Sequence, residues 1–133
     1  MKILFVCKHN SFRSKVAEAV FNKWYKGKKY SAMSRGLIVG PFIYPNTKKA
    51  VKSLGYNING KPKPLAFNES KEADIIVLVS DNVHPSIFEN YKKMGKKVVV
   101  FKIKDTGAKE TEKIKKITKE IERKVKSLIK RLK

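Results

Sequence analysis

Residues 7–14 read Cys-Lys-His-Asn-Ser-Phe-Arg-Ser, and Cys7 is the one cysteine in a chain of 133 residues. A thiol attacks as its thiolate, and an ordinary cysteine is mostly protonated at neutral pH. The surroundings of Cys7 supply what favours the anion. Ile3-Leu4-Phe5-Val6 reads as a strand and Ser14 opens a stretch with helical spacing. Cys7 to Arg13 therefore form a turn that leads into a helix N-terminus. Consecutive backbone N–H groups on such a turn point inward, and the helix end adds partial positive charge. The same donors bind a tetrahedral oxyanion such as phosphate, arsenate or sulfate. Arg13 adds a full charge and a planar fork able to hold two oxyanion oxygens at once. The five residues between, Lys8, His9, Asn10, Ser11 and Phe12, are enough to wrap around one such group, with Cys7 at the base.

Asn10 and Ser14 have separate expected roles. Asn tolerates the left-handed backbone that a tight anion cradle requires. The Ser14 hydroxyl is placed to donate to the sulfur. The competing reading is an inert buried thiol, the usual state of a free cysteine. Arg13, Ser14, the strand before and the helix after argue against it. His9, inside the loop, is expected to tune access rather than to catalyse. His84 before Pro85 reads as a turn residue, and two histidines with one cysteine do not make a metal site.

The elements that must hold this loop follow from hydrophobic pattern. Residues 2–6 form a continuous apolar strand of the kind found in parallel sheets covered on both faces. Val16, Ala17, Val20, Phe21 and Trp24 recur at helical spacing up to about Lys26, and Gly27 stops the run. A short strand is expected over Lys29–Met33, then a loop over 36–46, then a helix from Thr47 to Leu54. Asn68 is positioned to cap a one-turn helix. Ala73–Val79 reads as a buried strand, 84–93 as helical, and Lys97–Ile103 as the last strand. From Lys109 on, Ile114, Ile117, Ile121, Val125, Leu128 and Leu132 form one helical stripe. The alternating order predicts an α/β fold: one domain over 1–133, with a four-stranded parallel sheet and helices on both faces. Ligands bind at the carboxyl ends of strands in such sheets, and Cys7 and Asp105 both lie just past strand ends.

The formal charge is +21. Its lysines are spread along the chain and thick on the last helix, between apolar positions, as on a solvated face. With no aromatic–basic signature, specific nucleic-acid binding is disfavoured, whereas attraction to acidic substrates or partners is consistent with the charge. Abundant Lys and Glu also suit a heat-adapted protein. One cysteine excludes an internal disulfide and fits a reducing cytoplasm. No signal-peptide pattern and no segment long enough to cross a membrane are visible.

The chain resembles the low-molecular-weight protein tyrosine phosphatases, which share their fold with thiol-dependent arsenate reductases. The likeness rests on Cys-x5-Arg-Ser after the first strand, with Asn third after the cysteine, and continues into Ala17-Glu18-Ala19-Val20-Phe21. It implies Cys7 as the nucleophile of a thiophosphate intermediate. It implies Arg13 as the phosphoryl ligand, with backbone N–H groups from Lys8 to Arg13 completing the cradle. Asn10 and Ser31 would hold the loop, Ser14 would stabilise the thiolate, and no metal or organic cofactor is implied. Asp105 matches the family's acid, which protonates the leaving oxygen and then activates water. A turn or cap role is the alternative for Asp105, and Thr106 stands where a proline is general.

Phe12 stands where many of the phosphatases carry a second cysteine. Cys-x-His-Asn-Ser and Asp105-Thr106-Gly107-Ala108 lean towards the reductases, yet Val79-Ser80-Asp81-Asn82 lacks their relay cysteines. Leu37 occupies the place of a pocket aromatic, and Phe42 and Tyr44 are either rim or packing residues. The expected activity is a cysteine-dependent phosphatase acting on an aryl phosphate or phosphotyrosine, in a small molecule or a protein. An arsenate reductase served by an external thiol or redox partner comes next, and a non-catalytic oxyanion-binding domain after it.

Overall fold

The apolar run after Met1 becomes the centre of a sheet. In the computed structural model, which describes residues 1–132, β1 (Lys2–Cys7) pairs in parallel with β2 (Ser31–Gly36) on one side and β3 (Ile75–Val79) on the other. β4 (Lys97–Phe101) pairs in parallel with β3, and the strand order is β2-β1-β3-β4. The order reverses beside β1, so the carboxyl end of β1, where Cys7 lies, is a topological switch point.

Alternation along the strands feeds two cores. Ile3 and Phe5 of β1, with Ile75, Val77 and Val79 of β3, pack on one face. There they meet α1 (Arg13–Trp24), α2 (Pro45–Lys52) and α5 (Thr111–Arg131). Leu4, Val6, Ile76 and Leu78 point to the other face, where Ala73 and Phe88 join them. That face carries α3 (Phe67–Glu72), a 3-10 turn at Pro85–Phe88, and α4 (Glu89–Lys93). Both faces of the sheet are therefore covered by helices, and each fully buried Val, Leu, Ile or Phe contributes about 1.5–3 kcal/mol. The stripe on α5 is core: Ile114, Ile121, Val125 and Leu128 are 1% exposed or less. Where α1 and α5 meet, Tyr56 donates to Glu122 and accepts from Trp24 Nε1 at 2.9 Å. Burial and the Glu122 bond push the Tyr56 hydroxyl up to about 12.

Several boundaries differ from the sequence expectation. β2 starts at Ser31 and runs to Gly36, because it follows β1 along its whole length in the register Lys2↔Ser31 to Cys7↔Gly36. α2 starts two residues early, with Pro45 in its first turn, where a missing N–H costs nothing. Ala66, not Asn68, precedes α3, and its N–H is capped by Glu69 Oε1 at 2.9 Å. Glu69 also accepts from Arg35 Nε at 2.8 Å, tying α3 to β2, and that bond holds the Glu69 carboxyl below its ordinary value.

Candidate active site

The loop between β1 and α1 is turned so that its carbonyls face outward. Leu37 N–H donates to the Cys7 and Lys8 carbonyls at 3.2 and 3.0 Å, Ile38 N–H to Lys8 at 2.8 Å, and Gly40 N–H to His9 at 3.2 Å. The segment after β2 thus takes up the Cys7, Lys8 and His9 carbonyls. Asn10 has φ of 55°, the one positive value at a non-glycine residue among those described. That left-handed step reverses the chain over Cys7, and Asn10 N–H reaches Sγ at 3.3 Å. Ser14 N–H approaches Sγ at 3.4 Å and Ser14 Oγ at 3.0 Å. Two backbone N–H groups and the Ser14 hydroxyl therefore surround the sulfur of a residue that is 2% exposed.

Asn10 is fully buried and braces the loop with its side chain. Nδ2 donates to Ser14 Oγ at 2.8 Å and Ser34 Oγ at 3.1 Å, and Oδ1 accepts from Lys63 N–H at 2.8 Å. Ser34 Oγ in turn donates to Glu18 Oε1 at 2.7 Å. The loop-supporting serine is therefore Ser34 and not Ser31. Ser31 is exposed at the amino end of β2 beside Lys2, at the opposite end of the sheet from Cys7. Had the strand ended at Met33, its last serine would have been Ser31. The three added residues bring Ser34 to the loop.

Gly36 pairs with Cys7 and lies against the loop backbone. A Cβ there would stand 2.9 Å from Asn10 N and 2.9 Å from the His9 carbonyl carbon, neither of which can move without the loop. Gly36→Ala is expected to cost about 1–3 kcal/mol, as overpacking generally does, and to weaken phosphate binding. Thermal denaturation and phosphate titration check this; an unchanged midpoint and affinity would mean the loop is not held by β2.

Arg13 opens α1 and is 2% exposed. Nη1 donates to Ser80 Oγ and to the Ile103 carbonyl, both at 3.0 Å, and Nη2 to Asn82 Oδ1 at 3.2 Å. These anchors come from the carboxyl ends of β3 and β4. Asp105, 39% exposed, places Oδ2 3.5 Å from Arg13 Nη2. Its Oδ1 accepts from Thr106 N–H at 2.9 Å. Cys7, Arg13 and Asp105 are thus brought to one end of the sheet, with Asn10 and Ser14 as supports. Ser34, Ser80, Asn82 and Glu18 were not singled out by sequence reasoning. The switch-point rule, applied to polar residues just past β3, is the signal that finds Ser80 and Asn82.

The surroundings are basic. Burial pushes the Lys15 ammonium down, Glu18 opposes this, and Lys63 and Arg35 lower it further. A cleft of about 510 Å³ opens beside the loop, lined by His9, Ser11, Phe12, Tyr44 and Asp105 among others. His9 Nδ1 donates to the Ile38 carbonyl at 2.7 Å, so its ring forms part of the wall. Tyr44 is on that wall and stacks edge-on with Phe42, ring centres 4.8 Å apart. Leu37 packs against the second core. No group of three metal-ligating side chains occurs among the described residues.

The arrangement can seat a tetrahedral anion over a buried thiol with a carboxyl group at its edge. A family model described as low molecular weight phosphotyrosine protein phosphatase matches residues 2–133. The chain belongs to that family. Its fold recurs in the low molecular weight protein tyrosine phosphatase from T. tengcongensis, at 26% identity, TM-score 0.84 and 99% coverage of both chains. An arsenate reductase from Archaeoglobus fulgidus is similar at 27% identity and TM-score 0.73, over 96% of this chain and 98% of that one. A mutant of YwlE from Bacillus subtilis shares the fold at 23% identity and TM-score 0.85, over 99% and 98%. Comparison with curated protein sequences gives no match. Both phosphatases and arsenate reductases thus occur among the relatives of this low molecular weight phosphatase-family chain. No helix among the described residues is long and apolar enough to cross a membrane.

Proposed function

We propose that the protein is a cysteine-dependent phosphatase acting on aryl phosphates, including phosphotyrosine, in a small molecule or a polypeptide. The observation that carries this reading is the convergence on one strand end. Cys7 Sγ has two backbone N–H donors and the Ser14 hydroxyl within 3.4 Å, and the Arg13 guanidinium lies 3.5 Å from Asp105. In the first step Cys7 sulfur attacks phosphorus, the P–O bond to the leaving group breaks, and Asp105 gives its proton to the departing oxygen. Arg13 and the N–H groups of Lys8, His9, Ser11, Phe12 and Arg13 take the equatorial oxygens, whose charge they stabilise. In the second step water attacks phosphorus, Asp105 accepts its proton, the S–P bond breaks, and phosphate leaves. Ser14 stabilises the departing thiolate. No cofactor enters either step. The lone cysteine has no partner in the chain for a disulfide and suits a cytoplasmic setting.

Arsenate reduction is the second reading, favoured by the arsenate reductase likeness and by Asp105-Thr106-Gly107-Ala108. Cys7 would displace one oxygen of arsenate to form an S–As bond. A thiol from outside the chain would then attack Cys7 sulfur, the S–As electron pair would pass to arsenic, and arsenite would leave behind a mixed disulfide. The deciding experiment assays the intact protein twice, for aryl phosphate hydrolysis without thiol and for arsenite release with glutathione or a thioredoxin. Hydrolysis without thiol is the expected result. Thiol-dependent arsenite release without hydrolysis would replace the first reading by the second. Phosphate binding with neither turnover would leave an oxyanion-binding domain.

A further inference from the structure

A buried guanidinium is costly to desolvate and ordinarily has a carboxylate beside it. Arg13, 2% exposed, has none among its hydrogen-bond partners, which are a hydroxyl, a carbonyl and a carboxamide oxygen. Among the described residues its one carboxylate neighbour is Asp105, at 3.5 Å on an exposed loop. The neutral anchors are themselves joined. Ser80, 1% exposed, donates its hydroxyl to Asn82 Oδ1 and accepts from Asn82 N–H at 3.3 Å. Asn82 is exposed on the rim and lends one oxygen to both Ser80 and Arg13. A carboxylate of the same shape would accept the same bonds more strongly, because charge-assisted hydrogen bonds are roughly twice as strong as neutral ones. If holding Arg13 were the whole task, aspartate would serve better at position 82.

We propose that Asn82 is a positioning residue: together with Ser80 it fixes the Arg13 guanidinium without neutralising it. The charge is thereby kept for a tetrahedral dianion entering the loop. A permanent carboxylate 3.2 Å from Nη2 would compete with that dianion for the same charge and repel it directly. Asp105 competes less, because it stands further off, is half in solvent and is free to leave Arg13 when the anion arrives. The inference rests on the oxyanion-site reading and does not require that hydrolysis follow.

The test is calorimetric titration of inorganic phosphate into the intact protein, Asn82→Asp and Asn82→Ala at one neutral pH and ionic strength. Thermal denaturation without phosphate accompanies it. Asn82→Asp is expected to melt no lower than the parent yet bind phosphate at least about fivefold more weakly, the scale of one unit-charge interaction even in water-like surroundings. Asn82→Ala, which removes the anchor without adding charge, is expected to weaken binding less. Unchanged affinity in Asn82→Asp would overturn the proposal. So would equal losses in the two variants, since geometry alone would then explain them. An aspartate variant that melts well below the parent would also overturn it, because the anchoring bonds would need the amide. A parent that binds no phosphate would sink the oxyanion reading itself, an outcome distinct from the others.

Discussion

Cys7→Ser is expected to lose aryl phosphate hydrolysis by about four orders of magnitude or more, as removal of a covalent nucleophile generally does. The same variant should keep the parent's melting temperature closely and still bind phosphate. Both halves follow from the geometry. The proposed anion cradle is made of backbone N–H groups braced by the Leu37, Ile38 and Gly40 N–H groups and by Asn10 bonds to Ser34 and Lys63, which do not touch the sulfur. The proposed nucleophile is one atom, and a serine hydroxyl at that place is a far weaker nucleophile, because its anion is scarcely populated near neutral pH. Acid quenching during turnover of the intact protein should trap phosphate on Cys7, and the variant should yield no phosphocysteine. Hydrolysis surviving in Cys7→Ser would remove the phosphocysteine pathway.

How much of this site is legible in the sequence depends on how far apart its parts lie along the chain. Cys7, Asn10, Arg13 and Ser14 fall within one short segment, and a strand before and a helix after dictate which way their backbone faces. That much needs only hydrophobic pattern and the chemistry of a helix end. The strand and helix order is legible for the same reason. The apolar runs at Ile3–Val6 and Ile75–Val79 are long enough to be buried on both faces.

What is not legible is what depends on register. β2 could not be bounded from its own residues, because Ser31-Ala32-Met33-Ser34-Arg35-Gly36 has no continuous apolar run. Pairing along all of β1 sets its end, and a shift of three residues exchanges Ser31 for Ser34 at the loop. Gly36 reads as part of a loop until β1 stands beside it. Ser80, Asn82 and the Ile103 carbonyl reach Arg13 from strands distant in sequence. Glu18 looks like an ordinary helix residue until Ser34 Oγ is found bonded to it.

Asp105→Asn is expected to lower kcat for a phosphate ester with a poor leaving group by about 10²–10⁴, the usual range for one general acid. An ester whose leaving group departs readily as its anion needs no proton and should lose much less. Phosphate affinity should move the other way. Asp105 is the one carboxylate within ion-pairing distance of Arg13 among the described residues, so an amide there releases charge that the anion can use. The amide oxygen of the variant would still accept from Thr106 N–H, as the Asp105 carboxylate does, so the loop keeps its local bond. A falling kcat with equal or tighter phosphate binding is the signature of a group that gives a proton but does not hold the anion. Equal losses for both leaving groups would show that Asp105 is not the acid, and weakened phosphate binding would show that it shapes the cradle instead. The prediction is sharp here because Thr106, unlike proline, leaves its N–H free to bond Asp105. As the proposed acid, Asp105 is positioned by a single hydrogen bond and one ion pair, and its contribution would depend on breaking the ion pair when substrate takes Arg13.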